Sequence, residues 1–323
     1  ISSYALAGLR RKDEKSSEAA IKYFLLGSFA TAFLIYGLAL LFGSAHSTEI
    51  LAVVEYFRTE ASLSLTAIAG LGLVVVGFGF KIAVVPFHMW TPDVYQGAPT
   101  PVTAFFSIVP KATGFAVLLR IFYPYWQKAF DSQAIFWMLW VISALTMVVG
   151  NLVALRQTNL KRILAYSSIA HAGYLLLAIL ARDSAGLVFY LTVYLFMNMG
   201  AFAAVIALGR KDKEYLELKD YAGAGFKYPW IGVTFSVFLF SLAGFPPTGG
   251  FLAKFYVFSA AVRQDLVPLV IVAVLASLVS VFYYLRIIVT MYMRESAEEI
   301  EIDLENPGLF LVLFLCLYGV LQL

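Results

Sequence analysis

Apolar residues run in blocks of about 20 along almost the whole chain, and short stretches between them carry most of the charge. A helix rises about 1.5 Å per residue, so a block of that length crosses a hydrocarbon core of about 30 Å. The pattern predicts a partial helix at 1–9. It predicts spanning segments near 18–43, 63–90, 101–123, 133–154, 161–181, 184–208, 229–262, 267–290 and 308–323. Two of these are too long for one plain helix. The first contains Pro86 and the second contains Pro246-Pro247-Thr248-Gly249-Gly250. Proline removes a helical donor and clashes one turn back. Backbone broken in this way survives at membrane depth only inside protein or beside a water-filled cavity. Both segments are therefore expected to be discontinuous helices at a functional place.

Composition supports the same class. The 323 residues are 61% hydrophobic and 13% charged, against about 45–50% and about 25% in soluble domains. The expected fold is an all-α polytopic membrane protein. A net charge of +3 then says little about nucleic acid, and the basic residues are better read loop by loop. If each broken segment crosses once, the loops alternate sides. One side collects Arg10, Arg11, Lys12, Lys15, Arg156, Lys161, Arg162, Arg210, Lys211, Lys213, Lys219, Lys227, Arg286 and Arg294. The other collects Arg58, Lys128, Arg182 and Arg263. The excess of basic residues marks the first side as cytoplasmic. The single cysteine, Cys316, rules out an internal disulfide and reads as a small apolar residue that faces lipid or packs between helices. The chain starts at Ile1 on an apolar segment and stops inside another, so a piece of a longer protein is expected.

Five basic residues remain within spans. Lys22 is near its helix start, where Glu18 can pair with it at i, i+4, and Arg120 can snorkel from its helix end. Lys81, Lys111 and Lys254 cannot reach water so easily. By helical rise, Lys111 is about 15 Å beyond Pro101, Lys81 about 13 Å from Trp90, and Lys254 about 13 Å from Arg263. His171 is about 15 Å beyond Lys161, so all four fall near the midplane. An ionisable residue at that depth costs about 2.5–3.5 kcal/mol on insertion scales and marks a functional site by default. The plainer alternative for each lysine is an ammonium satisfied by backbone carbonyls at a helix break or facing a polar interface. A lysine balanced between burial and a nearby carboxylate can gain and lose a proton, which is what a relay needs.

His171, in LAYSSIAHAGYLL, has Ser167, Ser168 and Tyr174 as neighbours that can line a wet cavity; the alternative is a histidine hydrogen-bonded between helices for packing. His88, just after Pro86, is open to a structural or a relay role, and His46 sits in a loop. Asp93, in WTPDVYQGAPTP, is expected to cap a turn, with attraction of protons toward a channel mouth as the second reading. The aromatic residues, 28 Phe and 19 Tyr among them, are expected as span filling. The sequence shows no Cys/His cluster at metal spacing, no phosphate-binding glycine loop and no Ser/His/Asp set, so no resident cofactor is expected. The two broken segments also mirror one another. FKIAVVPFHMW has its lysine before the proline, and FPPTGGFLAKFYVF has its lysine after. Paired breaks of this kind point to inverted repeats with a midplane site.

The stretches FKIAVVPFHMWTPDVYQGAPTPVTAFFSIVPKATGFAVLLR, NLVALRQTNLKRILAYSSIAHAGYLLLA and FSLAGFPPTGGFLAKFYVF resemble the antiporter-like N subunits of respiratory complex I, called subunit 2 in mitochondria and subunit 14 in some bacteria. The resemblance covers essentially the whole chain. It implies an inverted-repeat bundle in which this chain corresponds to helices five to fourteen of a fourteen-helix subunit. Residues 1–124 would then close the first repeat, residues 125–291 form the second, and residues 292–323 hold a cytoplasmic connection and the start of the last helix. Lys81, Lys111 and Lys254 match the family's lysines on its seventh, eighth and twelfth helices, and His171 matches its tenth. The family's partner glutamate for Lys81 would fall just before Ile1. The implied function is proton translocation in an NADH:quinone oxidoreductase of a bacterial inner membrane. NADH, FMN, Fe–S clusters and quinone would be carried by other subunits, and the neighbours would be subunits M, J and K. The alternatives are an Mrp-type cation/proton antiporter, the equivalent subunit of a photosynthetic ferredoxin-dependent complex, or a structural scaffold.

Overall fold

No water in a bilayer core satisfies a free backbone amide, so long apolar blocks must close their hydrogen bonds internally as helices. The computed structural model describes residues 2–59, 63–122, 133–209, 214–295 and 307–323. Among them all regular structure is helical, apart from one isolated bridge between Asn159 and Glu217. Lys128, Arg210, Lys211 and Lys213 lie outside the described residues, as does the side chain of Arg58.

The helices are α1 (Ser2–Ala7), α2 (Glu14–Ala45), α3 (Ile50–Thr59), α4 (Leu65–Ile82), α5 (Trp90–Gly97), α6 (Thr100–Phe122), α7 (Gln133–Ala154), α8 (Leu160–Leu180), α9 (Ser184–Ala207), α10 (Ala224–Lys227), α11 (Pro229–Ala243), α12 (Gly249–Arg263), α13 (Val267–Met293) and α14 (Pro307–Gln322). Seven of them, α2, α4, α6, α7, α8, α9 and α13, are long and apolar enough to cross a membrane. Helix α8 is buried along nearly its whole length and touches α5, α6, α7, α9, α12 and α13. A helix apolar on every side belongs at the centre of a bundle, and α8 is the spine of this one. Helix α2, by contrast, turns Phe24, Phe29, Phe33 and Tyr36 outward.

The two discontinuous segments break by the same local device. Helix α4 ends on Ala83 in the left-handed region (φ 61°), whose N–H donates to the carbonyls of Gly79 and Phe80. The Val84 N–H then reaches back to Gly79 O at 3.0 Å. Helix α11 ends on Gly244 (φ 89°), with its N–H on Phe240 O and Ser241 O, and Phe245 N–H on Phe240 O at 3.0 Å. Both are Schellman-type ends, which satisfy the last carbonyls and turn the chain out of the helix. A proline stands three residues beyond each left-handed residue, Pro86 and Pro247, so the helix cannot resume at once.

Two details depart from the sequence reading. The stretch WTPDVYQG, expected as a turn, is helix α5. Pro92 is tolerated because it lies in the first turn, where its missing N–H has no intrahelical acceptor. The short helix α3 was hidden by its charges at Glu55 and Arg58, although Val54 and Phe57 are buried. Cys316 is buried on α14, as expected of a packing residue.

Candidate functional site: a buried row along the central helix

The sequence of α8 places Lys161, Ser168 and His171 along one side, because residues three, four and seven apart share a helix face. His171 is 2% exposed, and its Nδ1 lies 2.8 Å from the Tyr190 hydroxyl. The rings of Tyr194 and Tyr174 stand 5.1 Å and 5.7 Å from the imidazole. Tyr190 and Tyr194 both come from α9, one turn apart, and so present the same face to α8.

Lys111, also 2% exposed, comes from α6 immediately after Pro110. Its Nζ donates to Ser168 Oγ at 2.5 Å and also to the Ser168 carbonyl. It sits 5.5 Å from the Tyr194 ring centre, on which a cation is attracted to the π face. Lys254 comes from α12, just past the second break. Its Nζ donates to Leu242 O at 3.1 Å, Ala243 O at 2.8 Å and Ser277 Oγ at 2.9 Å, and lies 5.3 Å from the Tyr174 ring centre. Those two carbonyls are the orphans at the C-terminal end of half-helix α11, where the helix dipole favours a cation. Gly244 makes room for this: a Cβ there would lie 2.9 Å from Lys254 Cδ.

Two of the three lysines and the histidine therefore meet in one buried row. Both ammonium groups act electrostatically on His171, and the Leu242 carbonyl that accepts from Lys254 also meets the imidazole. Among the described residues neither Lys111 nor Lys254 has a carboxylate partner; each is held by hydroxyls and carbonyls. Carbonyl satisfaction at a helix break, the plainer reading, is thus part of the geometry at Lys254. It comes together with a titratable chain of neighbours that a purely structural lysine does not require.

Lys81 is placed differently. It lies in the last turn of α4, exposed, on a recess of about 240 Å³ shared with Tyr4, Tyr23, Thr31 and Thr113. Its stem packs 3.6 Å from the Cβ position of Gly114, one turn after Lys111 on α6, which brings the two lysines to the same stretch of that helix. His88 is not brought into the row. It stays in the first break with its Nδ1 buried and unpartnered among the described residues.

Asp93 does not cap a turn: it ties three helices together. Its carboxylate accepts from Lys22 Nζ at 2.7 Å and from Arg162 at 2.8 Å, and Glu18 takes the other side of Lys22 at 2.6 Å. Burial pushes the Asp93 carboxyl up, but the Lys22 and Arg162 bonds outweigh it and hold it below its ordinary value. A second knot lies beside it. Glu214 pairs with Arg10 at 2.5 Å and with buried Lys161 at 3.2 Å, and Lys161 also donates to Ala98 O at 2.7 Å. Burial raises the Glu214 carboxyl, while Arg10, Lys161 and the Thr100 N–H lower it by more, leaving it at about 2.

The sign of the resulting pH dependence follows. A carboxyl depressed in the folded state stabilises it above the unfolded pKa of about 4.3, and that contribution is lost as pH falls toward 2. The shift corresponds to about 3 kcal/mol at most. In detergent, the wild-type melting temperature is expected to fall between pH 5 and pH 3, and Glu214→Gln is expected to be less stable at pH 7 with a flatter profile. Equal melting temperatures of the two proteins at pH 7 would contradict it.

Two of the three tyrosines of the row do not stand out in the sequence. Tyr174, Tyr190 and Tyr194 form the walls of the row, and only Tyr174 stood out as a neighbour of His171. The available signal was the one-turn spacing of Tyr190 and Tyr194 on an otherwise apolar helix.

Residues 1–280 match the model of a family described as NADH:quinone oxidoreductase/Mrp antiporter, transmembrane. The chain is 49% identical to NADH-quinone oxidoreductase subunit N of Trichlorobacter lovleyi, over 93% of this chain and 62% of the relative. Among solved structures it superposes on a chain of respiratory complex I from Thermus thermophilus with bound aureothin, at TM-score 0.85 and 37% identity, covering 99% of this chain and 69% of that one. It also superposes on a chain of the Mrp complex from Dietzia sp., at TM-score 0.81 and 25% identity, covering 95% and 57%. The chain thus spans about two thirds of the length of the curated relative and of the complex I chain.

Proposed function

The chain belongs to the NADH:quinone oxidoreductase/Mrp antiporter membrane family, and from that premise we propose that it is a proton-translocating module of a respiratory NADH:quinone oxidoreductase. The observation that carries the reading is the buried row itself, in which Lys111 from α6 and Lys254 from beside the second break approach His171 without a carboxylate among the described residues. Protons are taken up from the basic, cytoplasmic end toward Lys111, pass His171 by way of hydroxyls and water, and leave through Lys254. Electron carriers and the quinone site belong to other subunits, with subunits M, J and K as neighbours in a bacterial inner membrane.

Lys81 acts as the switch. Tyr4 of α1 lines the Lys81 recess, which is the side from which the family's partner carboxylate would meet the lysine. While that pair is closed, its counter-charge screens Lys81. When it opens, the free charge bears on Lys111 across Gly114. Two unit charges about 4 Å apart interact by about 4 kcal/mol at an effective dielectric near 20. A directional switch at Lys81 needs a coupling of that order, to set against the ~2.3 kcal/mol a proton climbs per 100 mV. The matching Schellman-type ends of α4 and α11 support the division into two repeats, at 1–124 and 125–291.

Replacement of Lys254 by alanine in the assembled complex tests the reading, with pumping followed in sealed vesicles. Proton translocation is expected to fall at least tenfold, the usual contribution of one positioned proton-transfer group. Normal pumping together with normal quinone reduction would sink the assignment. An Mrp-type role shares the architecture, but the match to the Mrp chain is at 25% identity against 37% for complex I.

A further inference from the structure

A second line of polar side chains leaves the row at Ser277 and Tyr174 and runs through α7 and α13 toward Lys111. From Lys254 it passes to Ser277 Oγ at 2.9 Å, and Ser277 lies against the Tyr174 hydroxyl. Asn151 of α7 then donates from Nδ2 to Tyr174 Oη at 3.3 Å and accepts at Oδ1 from Tyr283 Oη at 2.9 Å. The rings of Tyr283 and Tyr284 on α13 are 4.4 Å apart, their hydroxyls interact, and Tyr284 is hydrogen-bonded to Ser167. Ser167 is the chain neighbour of Ser168, which holds Lys111. The line meets the row at Lys254 and ends one residue from it at Ser167.

Every member but one is a hydroxyl. A hydroxyl accepts and donates at the same oxygen, so a chain of them can hand a proton along. The Asn151 amide cannot. Its nitrogen only donates and its oxygen only accepts, and moving a proton between them requires an imidic acid form. Both amide protons are already committed, one to Tyr174 and one to Met147 O at 2.8 Å, in a side chain 1% exposed. The amide also fixes the direction of its neighbours: because Tyr174 accepts from Nδ2, its own proton points onward toward Ser277, beneath Lys254.

We propose that Asn151 is a positioning residue that insulates this branch, holding Tyr174 against Lys254 while forcing the proton to travel by His171. The inference rests on the relay reading above and adds to it a reason why the histidine path is the one used. A carboxylic acid at position 151 has two equivalent oxygens, can receive a proton on one and release it from the other, and so would join the two halves of the branch.

The test uses the assembled complex in sealed vesicles, reading the proton-to-electron ratio and its pH profile. His171→Gln alone is expected to lower pumping at least tenfold, and adding Asn151→Asp is expected to restore it at least fivefold, with a pH profile shifted toward that of a carboxylic acid. Adding Tyr283→Phe to that pair is expected to abolish the rescue, because it cuts the branch one hydroxyl away. With His171 intact, Tyr283→Phe is expected to leave pumping within twofold of wild type, a measurement that does not depend on the Asn151 variant folding. A loss of tenfold or more in that single variant would mean that the branch already carries protons and would overturn the insulating role. So would an assembled Asn151→Asp, His171→Gln complex that pumps no better than His171→Gln. An undiminished ratio in His171→Gln alone fails the relay reading instead, and is distinguished from the other outcomes by that single variant.

Discussion

Replacing Gly250 by alanine is expected to prevent the second broken segment from closing. A Cβ there would lie 1.8 Å from the Ser241 carbonyl oxygen, 2.6 Å from its carbon and 2.8 Å from Ser241 Oγ. The first two are backbone atoms of α11, so no rotamer change relieves the clash and the start of α12 must move away. That movement also breaks the 3.1 Å bond from Gly250 N–H to Ser241 Oγ and carries Lys254, one turn along α12, off the α11 carbonyls. A loss of more than about 4 kcal/mol is expected, in the range reserved for gross overpacking at a constrained site. Assembled complex recovered from membranes should fall at least fivefold, since about 1–2 kcal/mol already changes abundance several-fold. Gly72→Ala is the control: nothing lies within 4 Å of its Cβ position, and alanine is the better helix former. Normal recovery of Gly250→Ala would contradict the break geometry.

The second large effect is expected from Lys111→Arg, a substitution that preserves charge. Arginine stays protonated at any accessible pH and needs a planar space for its guanidinium. Lys111 is enclosed by Ser168 and Tyr194, and a site that used the lysine only as a fixed cation would lose its packing but keep its electrostatic role. A site that takes a proton on and off Nζ loses its function outright. At least a tenfold fall in pumping is expected, with the complex still assembled. The two losses differ in kind, and comparison with Lys111→Ala separates them: the relay account has both variants equally inactive, whereas a fixed-cation account has arginine the better of the two.

The sequence carried the fold in its long apolar blocks and carried the breaks in its prolines, because both are local properties with few competing outcomes. It also marked Lys111, His171 and Lys254 as polar residues inside apolar blocks, and the structure buries all three. It did not show that the first break turns on Ala83, because a left-handed residue is legible when it is glycine, as at Gly244, and not when alanine is held there by its surroundings. Asp93 was misread because its partners, Lys22 and Arg162, come from elsewhere in the chain, and nothing in WTPDVYQG announces them. Asn151 was invisible for the same reason. Tyr283 lies 132 residues away, and 19 tyrosines of one residue type give no ground for choosing among them until helices are packed.

The central claim is that Lys111 passes a proton toward His171 and Lys254 and does not merely hold charge beside them. The measurement that bears on it most directly is the proton-to-electron ratio of the Lys111→Arg complex in sealed vesicles, taken from simultaneous initial rates of proton uptake and quinone reduction between pH 6 and pH 9. A ratio well below wild type at every pH is the predicted result, because arginine remains charged across that range. A wild-type ratio at any pH in the range would show that charge alone suffices at this position, and would contradict the relay.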